Sequence, residues 1–512
     1  MIHAVEILVG GLAAIALLVQ FAHRLQVPPP IVLVLGGLAL GFVPGVPRLE
    51  LEPDVALFLL LPPLLYSEAF LASTTELRAH AREIALLAVG LVVATATLVA
   101  VVAHTLIGLP WASAFVLGAV IGPTDPVSAT SVIRRLGVSG RFATILEGEA
   151  LVNDGTALVM YRLAIAAVIA GTFSLGHAAL EFVVVTAGGI LVGVVVAVLV
   201  ERLRRWITVM EAEITLSLLI PFVAYLPAER LEVSGVLAAV TAGLLNGRRS
   251  DVSPAETRLR RHAFWEVLSF LLNSTLFLLV GLAFPHVLAR LGDTPALDLA
   301  LQAVLVAGLV MALRLAWMFL VPRVALDDRR VSTGELLVLS WSGMRGGVSV
   351  AAALAVPVAA GGQPFPGRDE IIFFAYIVVL ATLVIPGLTL GMLIRRLGIG
   401  SGRAQDRVDA RAREHILRAA IEHLEELVRN DDLPETLAGH LRALYEARIE
   451  PETPVAVPAT TPDDERLVLE ARRGALAAQR AALADLQEHE LIGVTAAREV
   501  ERELELEERL CA

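Results

Sequence analysis

Long apolar segments alternate with short polar ones over the first 400 residues of the chain. A helix needs about 20 mostly apolar residues to cross a membrane. Thirteen segments approach or meet this length, and they lie near residues 4–22, 28–46, 54–73, 84–108, 112–134, 143–171, 178–201, 211–227, 232–247, 263–288, 300–322, 334–360 and 371–395. The pattern predicts an all-α polytopic membrane protein with about 13 transmembrane helices.

The composition agrees with a chain that lies largely in a membrane. The sequence is 56% hydrophobic and 18% charged, whereas a soluble chain carries about 25% charged residues. The first apolar segment has no basic leader and contains Glu6, so we expect a retained span rather than a signal peptide. Cys511 is the only cysteine, which excludes an internal disulfide and a cysteine-cluster metal site.

Arginine residues are concentrated in alternate loops between the predicted spans. Six alternate loops hold 17 arginines, and the other six hold 4. Because basic residues are retained on the cytoplasmic side of a membrane, the first set of loops is expected to be cytoplasmic. With thirteen spans in the cell (inner) membrane, the N-terminus is then outside and the C-terminal tail is in the cytoplasm.

The chain changes character near residue 401. From Gly402 onward it holds 15 basic and 25 acidic residues, which accounts for −10 of the total charge of −11. Ile416, Ile421 and Leu424 recur at helical spacing, and the segment PETPVAVPATTP (451–462) reads as a linker. We expect a transmembrane domain over residues 1–400 and a cytoplasmic helical tail over 401–512, with a regulatory or oligomerising role.

Two prolines interrupt the fifth predicted span. Pro123 and Pro126 bracket Thr124 and Asp125 in IGPTDPVSAT (121–130). Each proline removes a backbone donor and disfavours helical geometry in the residue before it. Two half-helices with an unwound midpoint are therefore predicted, and such backbone is tolerated only inside protein or beside water. The freed carbonyls and Asp125 suit a cation site; the alternative is a proline kink with Asp125 hydrogen-bonded across helices.

A second interruption is predicted in the twelfth span. Gly343, Gly346 and Gly347 surround Arg345 in SWSGMRGGVS (340–349), and glycine permits a bend or a close helix approach. The fifth and twelfth spans would be equivalent if spans 1–6 and 8–13 were inverted repeats. No residue-by-residue repeat is evident, so this symmetry is one of position.

The sixth span contains several costly polar groups in LEGEALVNDG (146–155). Ionisable side chains at this depth are functional by default. Glu149 and Asp154 lie about 140° apart around a helix, so separate roles are expected. Arg314, in another span, needs a carboxylate, and a pair with Glu149 would leave Asp154 uncommitted. Glu68, Glu266 and Arg162 receive no assigned role at this point, and hydrogen-bonded helix contacts explain the two glutamates equally well.

Four motifs, GPTDP, LEGEALVNDGTALV, HAFWEVLSFLLNSTLFLLVGL and WSGMRGGVSVAAAL, occur in this order along the chain. They resemble the signature helices of the monovalent cation/proton antiporters, in the NhaP-like sodium/proton exchanger branch, over roughly residues 5–395. LPPLLYSEAF (61–70) fits the third span of that family. The resemblance implies a homodimer of thirteen-helix protomers, each with two inverted repeats, broken helices crossing at the midplane, a dimerisation domain and a mobile core domain.

The resemblance also implies a site. Asp154 would bind the cation or the proton, and Asn153, Thr124 and Asp125 would complete or support the site, with sodium at Asp154 and Thr124. Glu149 matches a glutamate of that site.

Two arginines match the family pattern as well. Arg314 matches the arginine that pairs with the glutamate at position 149, and Arg345 matches the one in the glycine-rich helix. One departure is Ala150, because the family commonly has serine there. Water, or the hydroxyl of Ser128 or Thr156, would have to replace that serine as an ion ligand.

The predicted function is sodium (or lithium)/proton antiport by alternating access, with electroneutral 1:1 exchange, for pH and sodium homeostasis. A second acid at position 153 would allow two protons per cation. Asn153 is a carboxamide instead, which favours 1:1 exchange. Potassium/proton antiport is the alternative, followed by a sodium-coupled solute carrier and a cation channel. The chain has no His-Glu-x-x-His motif and no Gly-x-Ser-x-Gly elbow, so we expect no enzymatic activity, and no cofactor or nucleic-acid partner.

Overall fold

The structure is a computed structural model, and its described part is almost entirely helical. It describes residues 2–44, 59–72, 74–136, 138, 140–171, 175–207, 209–248, 255–291, 296–325, 332–360, 362–399, 403–449, 462–488, 492 and 494–510. Within these residues, 8 helices are long and apolar enough to cross a membrane, and three shorter apolar helices accompany them. The chain is therefore a multi-pass membrane protein, and the predicted fold class is confirmed; the count of thirteen spans stays a prediction. Parts of the second and third predicted spans, within 45–58, and most of the predicted linker lie outside the described residues.

The helices of the first half are α1 Ile2–Leu25, α2 Pro29–Gly41, α3 Leu61–Leu71, α4 Thr74–Ala79, α5 Ala81–Ala85, α6 Val92–Val102, α7 Trp111–Ile121, α8 Val127–Arg135, α9 Gly140–Ala170, α10 Leu175–Arg204, α11 Met210–Arg230 and α12 Gly235–Arg248. Two π-helical segments, Leu86–Leu91 and Ala103–Ile107, flank α6. The helices of the second half are α13 Ala255–Arg290, α14 Ala296–Ala325, α15 Thr333–Trp341, α16 Gly347–Leu354, α17 Arg368–Leu397, α18 Arg403–Arg429, α19 Glu435–Ile449, α20 Pro462–Glu488 and α21 Val494–Leu510. A short hairpin, β1 Ala359–Ala360 and β2 Gln363–Pro364, precedes α17.

Helices α3, α10, α11 and α12 pack together, and we call them the first bundle. Apolar side chains from all four helices, including Tyr66, Val196, Ile220 and Ala238, form its core. Small residues allow the helices to approach closely: a Cβ at Gly243 of α12 would lie 2.7 Å from a backbone oxygen of α3. In lipid the hydrophobic effect does not drive helices together, because the lipid tails are themselves apolar. Close van der Waals packing therefore holds these helices together.

Helices α6, α7, α8 and α14–α17 form a second bundle. The broken helices belong to this bundle, because α7 and α8 are two halves of one span and so are α15 and α16. Gly118 brings α7 against α6, where an added Cβ would lie 2.2 Å from the carbonyl oxygen of Ala96. The second bundle therefore contains the irregular backbone that the prolines and glycines predict.

Helix α9 packs one face against the first bundle. Its Leu151 joins Leu65 of α3, Tyr225 of α11 and Val236 of α12 in one buried apolar cluster. Its polar residues are directed to residues of the second bundle, as described below. Helix α9 thus connects the two bundles of the membrane part.

A second compact unit is formed by Ser401–Ala512 together with Gly137–Arg141 and Asp251–Arg261. Its helices α18–α21 bury apolar side chains such as Leu424 and Leu441 among one another. Glu507 of α21 is buried, and it accepts hydrogen bonds from Arg448 at 2.7 Å and from the hydroxyl of Tyr445 at 3.3 Å. Burial and the charge of Glu507 raise the pKa of the Tyr445 hydroxyl above its ordinary value.

Candidate cation and proton site

The chain is unwound between α7 and α8, at the two prolines. Helix α7 ends at Ile121 and α8 begins at Val127, with a non-helical segment between them. The carboxylate of Asp125 accepts a hydrogen bond from the backbone N–H of Val127 at 2.8 Å, which caps the start of α8. This acid therefore offsets the positive end of a half-helix, one of the roles open to it from the sequence.

A second unwound segment crosses the first one. Helix α15 ends at Trp341 and α16 begins at Gly347. The backbone N–H of Asp125 donates to the carbonyl oxygen of Met344 at 2.8 Å, so the two segments are hydrogen-bonded where they meet. Arg345 is 1% exposed and donates to the carbonyl oxygens of Ile121 at 3.2 Å and Gly343 at 2.9 Å. Its charge lies at the negative, carboxyl ends of half-helices α7 and α15.

Glycine is required where the segments cross. A Cβ at Gly346 would lie 2.0 Å from a carboxylate oxygen of Asp125 and 2.5 Å from its Cβ. Such distances cannot be accommodated without moving Asp125. The backbone angle φ at Gly346 is −110°, so the constraint is one of space rather than of backbone conformation.

We therefore expect Gly346→Ala to lower the transport rate by at least about tenfold, because moving Asp125 disturbs the crossing of the two unwound segments, and a misplacement of ~1 Å at a site can cost up to about 100-fold in rate. Gly308→Ala in α14 is the matched control, since an added Cβ there meets nothing within 4 Å. The comparison is made on initial transport rates in proteoliposomes at equal protein content. A wild-type rate for Gly346→Ala would contradict the steric argument.

Glu149 and Arg314 form a buried, bidentate ion pair. Two guanidinium nitrogens of Arg314 donate to the two carboxylate oxygens of Glu149, at 2.5 and 2.9 Å, and each residue is 1% exposed. The hydroxyl of Thr124 also donates to Glu149, at 2.7 Å. Gly343 leaves room for the guanidinium group, because a Cβ there would lie 2.1 Å from Arg314. The negative charge of Glu149 is therefore neutralised within the protein.

Asn153 joins the same hydrogen-bond network. Its amide nitrogen donates to the hydroxyl of Thr124 at 2.9 Å and to the carbonyl oxygen of Thr124 at 3.2 Å. Because a carbonyl only accepts, the second bond fixes which amide atom is nitrogen. The amide oxygen of Asn153 is buried and has no hydrogen-bond partner among the described residues. This oxygen is therefore a hydrogen-bond acceptor without a partner in the described part of the chain, on the residue that directly precedes Asp154.

Asp154 is buried, at 7% exposure, and no basic side chain pairs with it in the described part of the chain. The charges that influence it are acidic: Asp125 acts electrostatically on Asp154, and both act on Glu68 of α3 together with Glu147. These carboxylates are not close enough to form a metal-ligand cluster within the described residues. They interact through charge rather than as one ligand set.

The structure also places the residues that were candidates to replace the missing serine. Ala150 is buried, and the hydroxyl of Thr156 is used in a bond to the carbonyl of Val152 at 3.0 Å. The hydroxyl of Ser128, buried on α8, has no hydrogen-bond partner among the described residues. The Thr156 hydroxyl donates its hydrogen there, so the oxygens of both hydroxyls keep acceptor lone pairs, and only the Ser128 hydroxyl has its hydrogen uncommitted among the described residues.

At the level of sequence, one acidic residue, Glu68, was left undecided and another, Glu229, was missed. Glu68 was left undecided because nothing local distinguishes a helix contact from a site residue; only the fold brings α3 near Asp154. Glu229 lies at the end of α11 and was not considered, yet it pairs with Arg162, whose partner the sequence did not reveal. Glu266, by contrast, is exposed on α13. The sequence did carry one signal: Arg162, an arginine within a span, had no assigned partner and therefore required an acid such as Glu229.

The chain matches sodium/proton exchangers in sequence and in fold. The family model described as "Sodium/hydrogen exchanger, transmembrane" matches residues 11–396. An exchanger of Mycobacterium tuberculosis, described as an uncharacterized Na(+)/H(+) exchanger, is 36% identical over 527 residues, covering 99% of this chain and 96% of its own. A sodium, potassium, lithium and rubidium/H(+) antiporter of Bacillus subtilis is 33% identical over 72% of this chain and 58% of its own length.

A solved structure shares the fold. The sodium proton antiporter MjNhaP1 of Methanocaldococcus jannaschii, at pH 8, superposes with a TM-score of 0.64 over 77% of this chain and 99% of its own, at 21% identity. The predicted resemblance is thereby confirmed. The chain belongs to the sodium/hydrogen exchanger family, in the NhaP-like part of the monovalent cation/proton antiporters, whose members are transporters and not enzymes.

Proposed function

We propose that the protein exchanges one Na⁺ or Li⁺ for one H⁺ by alternating access, with Asp154 carrying the two ions in turn. The observation that carries this proposal is the contrast between two buried acids on α9. Glu149 is already neutralised by Arg314, whereas Asp154 has no basic partner in the described residues. A carboxylate buried in a membrane must be neutralised, and a monovalent cation or a proton can each do so. Binding of one therefore excludes the other, which is the basis of exchange.

Two buried oxygens without a hydrogen-bond partner support a site for a small, hard cation. The amide oxygen of Asn153 and the hydroxyl of Ser128 are buried acceptors with no other partner among the described residues. Carboxylate, carbonyl and hydroxyl oxygens are the ligands that hard cations prefer. The hydroxyl of Thr124 already donates to Glu149 and accepts from Asn153, so we propose that Thr124 holds the network and supplies at most one further lone pair to the ion.

Charge counting supports electroneutral exchange. Asp154 is neutral with either one cation or one proton aboard, and the neighbouring position is the carboxamide Asn153 rather than a second acid. Asp125 is held by the start of α8, and we propose that it and Glu68 each keep one protonation state through the cycle. No net charge then crosses the membrane in a turnover.

We expect purified protein on a solid-supported membrane to give no sustained current when a Na⁺ gradient is applied. Proton movement should be measured in parallel on the same preparation, so that an inactive sample is recognised. A current that reverses with the Na⁺ gradient, while protons move, would contradict 1:1 exchange.

Potassium/proton exchange is the second candidate. The name of the Bacillus subtilis relative includes potassium and rubidium among its ions, and Ala150 removes the hydroxyl that the resemblance led us to expect. The two candidates differ in an ion series: Na⁺ and Li⁺ should drive proton release at lower concentration than K⁺ if the small-cation site is correct. Equal half-saturating concentrations for K⁺ and Na⁺ would favour the second candidate.

The arrangement in the membrane is also proposed. The arginine asymmetry, 17 against 4, supports an external N-terminus and a cytoplasmic tail. Family resemblance supports a homodimer in which a dimerisation domain and a mobile core divide residues 1–400, with the tail over 401–512.

A further inference from the structure

Arg162 and Glu229 form an ion pair that the exchange site does not use. Arg162 lies on α9, about two turns beyond Asp154. One of its guanidinium nitrogens contacts both carboxylate oxygens of Glu229, at the end of α11. A second nitrogen donates to the carbonyl oxygen of Val233, in the link between α11 and α12, at 3.3 Å. The arginine thus holds both a side chain and the backbone of this link.

Glu229 is positioned by its own bundle, independently of α9. Its carboxylate accepts a hydrogen bond from the backbone N–H of Gly235, the first residue of α12, at 3.2 Å. The fit is close, because a Cβ at Gly235 would lie 2.6 Å from that oxygen. Helix α12 therefore presents its positive end to Glu229, and Glu229 presents its charge to Arg162.

The pair lies along the face that α9 buries against the first bundle. Leu151 of α9 packs with Tyr225 and Val236, and Gly155 lies against Leu237, where an added Cβ would be 2.5 Å from the leucine side chain. Asp154 is the residue next to Gly155. Any path from the Arg162 end of α9 to Asp154 along this face requires α9 to separate from the link between α11 and α12.

We propose that Arg162 and Glu229 form a latch that closes one of the two access paths to Asp154, and that it opens once in every transport cycle. The proposal rests on the alternating access proposed above. Alternating access requires each path to be closed in one state and open in the other. The bonds of Arg162 exist only while α9 lies against the link, so they stabilise the closed state alone.

The exposure of the pair suits a contact that must break repeatedly. Arg162 is 37% exposed and Glu229 is 19% exposed, so water can solvate both charges when they part. A fully buried pair would leave two unsolvated charges on separation. The Glu149–Arg314 pair is of that kind, since both side chains are 2% exposed. We infer that Glu149–Arg314 stays closed while Arg162–Glu229 opens.

Arg162→Gln tests the effect of the latch on the balance between the two states. Weakening the state closed on this side increases the population open to it, so the half-saturating Na⁺ concentration on this side should fall about two- to fivefold. The value on the opposite side should not fall. Arg162→Lys, which keeps the charge but has one donor nitrogen instead of two, should give a smaller fall than Arg162→Gln. Glu213→Gln on α11, which faces Arg204 within the first bundle, is the matched control. Unchanged values on both sides for Arg162→Gln would overturn the latch.

Cross-linking tests the requirement for opening. In a Cys511→Ser background, the double variant Arg162→Cys/Glu229→Cys is treated with a bifunctional methanethiosulfonate reagent, and the linked fraction is measured by mass spectrometry. Transport should be lost in proportion to that fraction and restored by a thiol reductant. Arg204→Cys/Glu213→Cys, which joins two helices of the same bundle, should keep transport when linked.

The outcomes separate the latch from the exchange site. Transport by fully linked Arg162→Cys/Glu229→Cys protein would overturn the latch and leave the role of Asp154 untouched. Cation-dependent proton movement by Asp154→Asn would overturn the exchange site instead. The unlinked double-cysteine protein is expected to transport, which shows that it folds and that loss on linking has a mechanical cause.

Discussion

Proteoliposomes that contain Asp154→Asn are expected to show no cation-dependent proton movement. The substitution keeps the size of the side chain. It removes the carboxylate that we propose binds the cation and the proton in turn. Asp154 is 7% exposed, and an amide at this depth cannot bind a proton or neutralise a cation. Adding Na⁺, Li⁺ or K⁺ across pH 6–9 should leave a trapped pH dye unchanged, while wild-type protein should dequench it.

The control for this variant is Glu266→Gln. Glu266 is also a carboxyl within a predicted span, but it lies exposed on α13 and takes no part in the hydrogen bonds that join Glu149, Asn153 and Thr124. It should transport as wild type. Both variants should also melt at the wild-type temperature, so that loss of transport is assigned to the site. Residual exchange by folded Asp154→Asn would show that another group carries the ions.

Glu149→Gln is expected to reduce the free energy of unfolding by about 3–5 kcal/mol, because it leaves the buried charge of Arg314 without its partner. Both residues are 1% exposed, so water cannot replace the lost carboxylate. Arg314→Gln should have an effect of similar size, for the opposite charge. The measurement is the denaturant or thermal midpoint of the protein in detergent, followed by an intrinsic signal such as tryptophan fluorescence.

The double variant Glu149→Gln/Arg314→Gln distinguishes an ion pair from two separate contributions. Removing both charges leaves two amides that can hydrogen-bond to each other, so the double variant should be more stable than the sum of the single losses predicts. Additive losses would show that the two side chains act independently, which would contradict the bidentate geometry. In either case this experiment measures stability, and it leaves the assignment of Asp154 to transport measurements.

Fold class and family could be predicted from sequence because both rest on local patterns. Apolar segments of spanning length identify a polytopic helical protein wherever they occur. Pro123 and Pro126 dictate an unwound segment in one span, and three glycines around Arg345 permit another; helices end at Ile121 and at Trp341, as these residues predict. A buried guanidinium group needs a carboxylate, so a pair of Arg314 with Glu149 could be proposed from the sequence, and the family resemblance favoured Glu149 over the other acids of the spans.

Other contacts depend on helix packing, which local patterns do not encode. Glu68 comes under the influence of Asp154 only because α3 packs near α9, and neither its neighbours nor its spacing indicates this. Asn153 and Thr124 are 29 positions apart. The hydrogen bond between them requires the unwound segment between α7 and α8 to pass α9 at the level of Asn153. Glu229 lies at the end of α11, where a charged residue is ordinary, so the sequence showed that Arg162 needed a partner but did not identify Glu229.

The measurement that tests the central claim most directly is Na⁺ accumulation driven by a pH difference. Vesicles with wild-type protein are loaded with acidic buffer, diluted into an alkaline medium with ²²Na⁺ at equal concentration inside and out, and clamped at zero membrane potential with K⁺ and valinomycin. The account predicts ²²Na⁺ accumulation inside, against its own gradient, with one proton released per ion, and none when the pH difference is abolished. Accumulation that persists without a pH difference, or equilibration without any accumulation, would contradict coupled exchange.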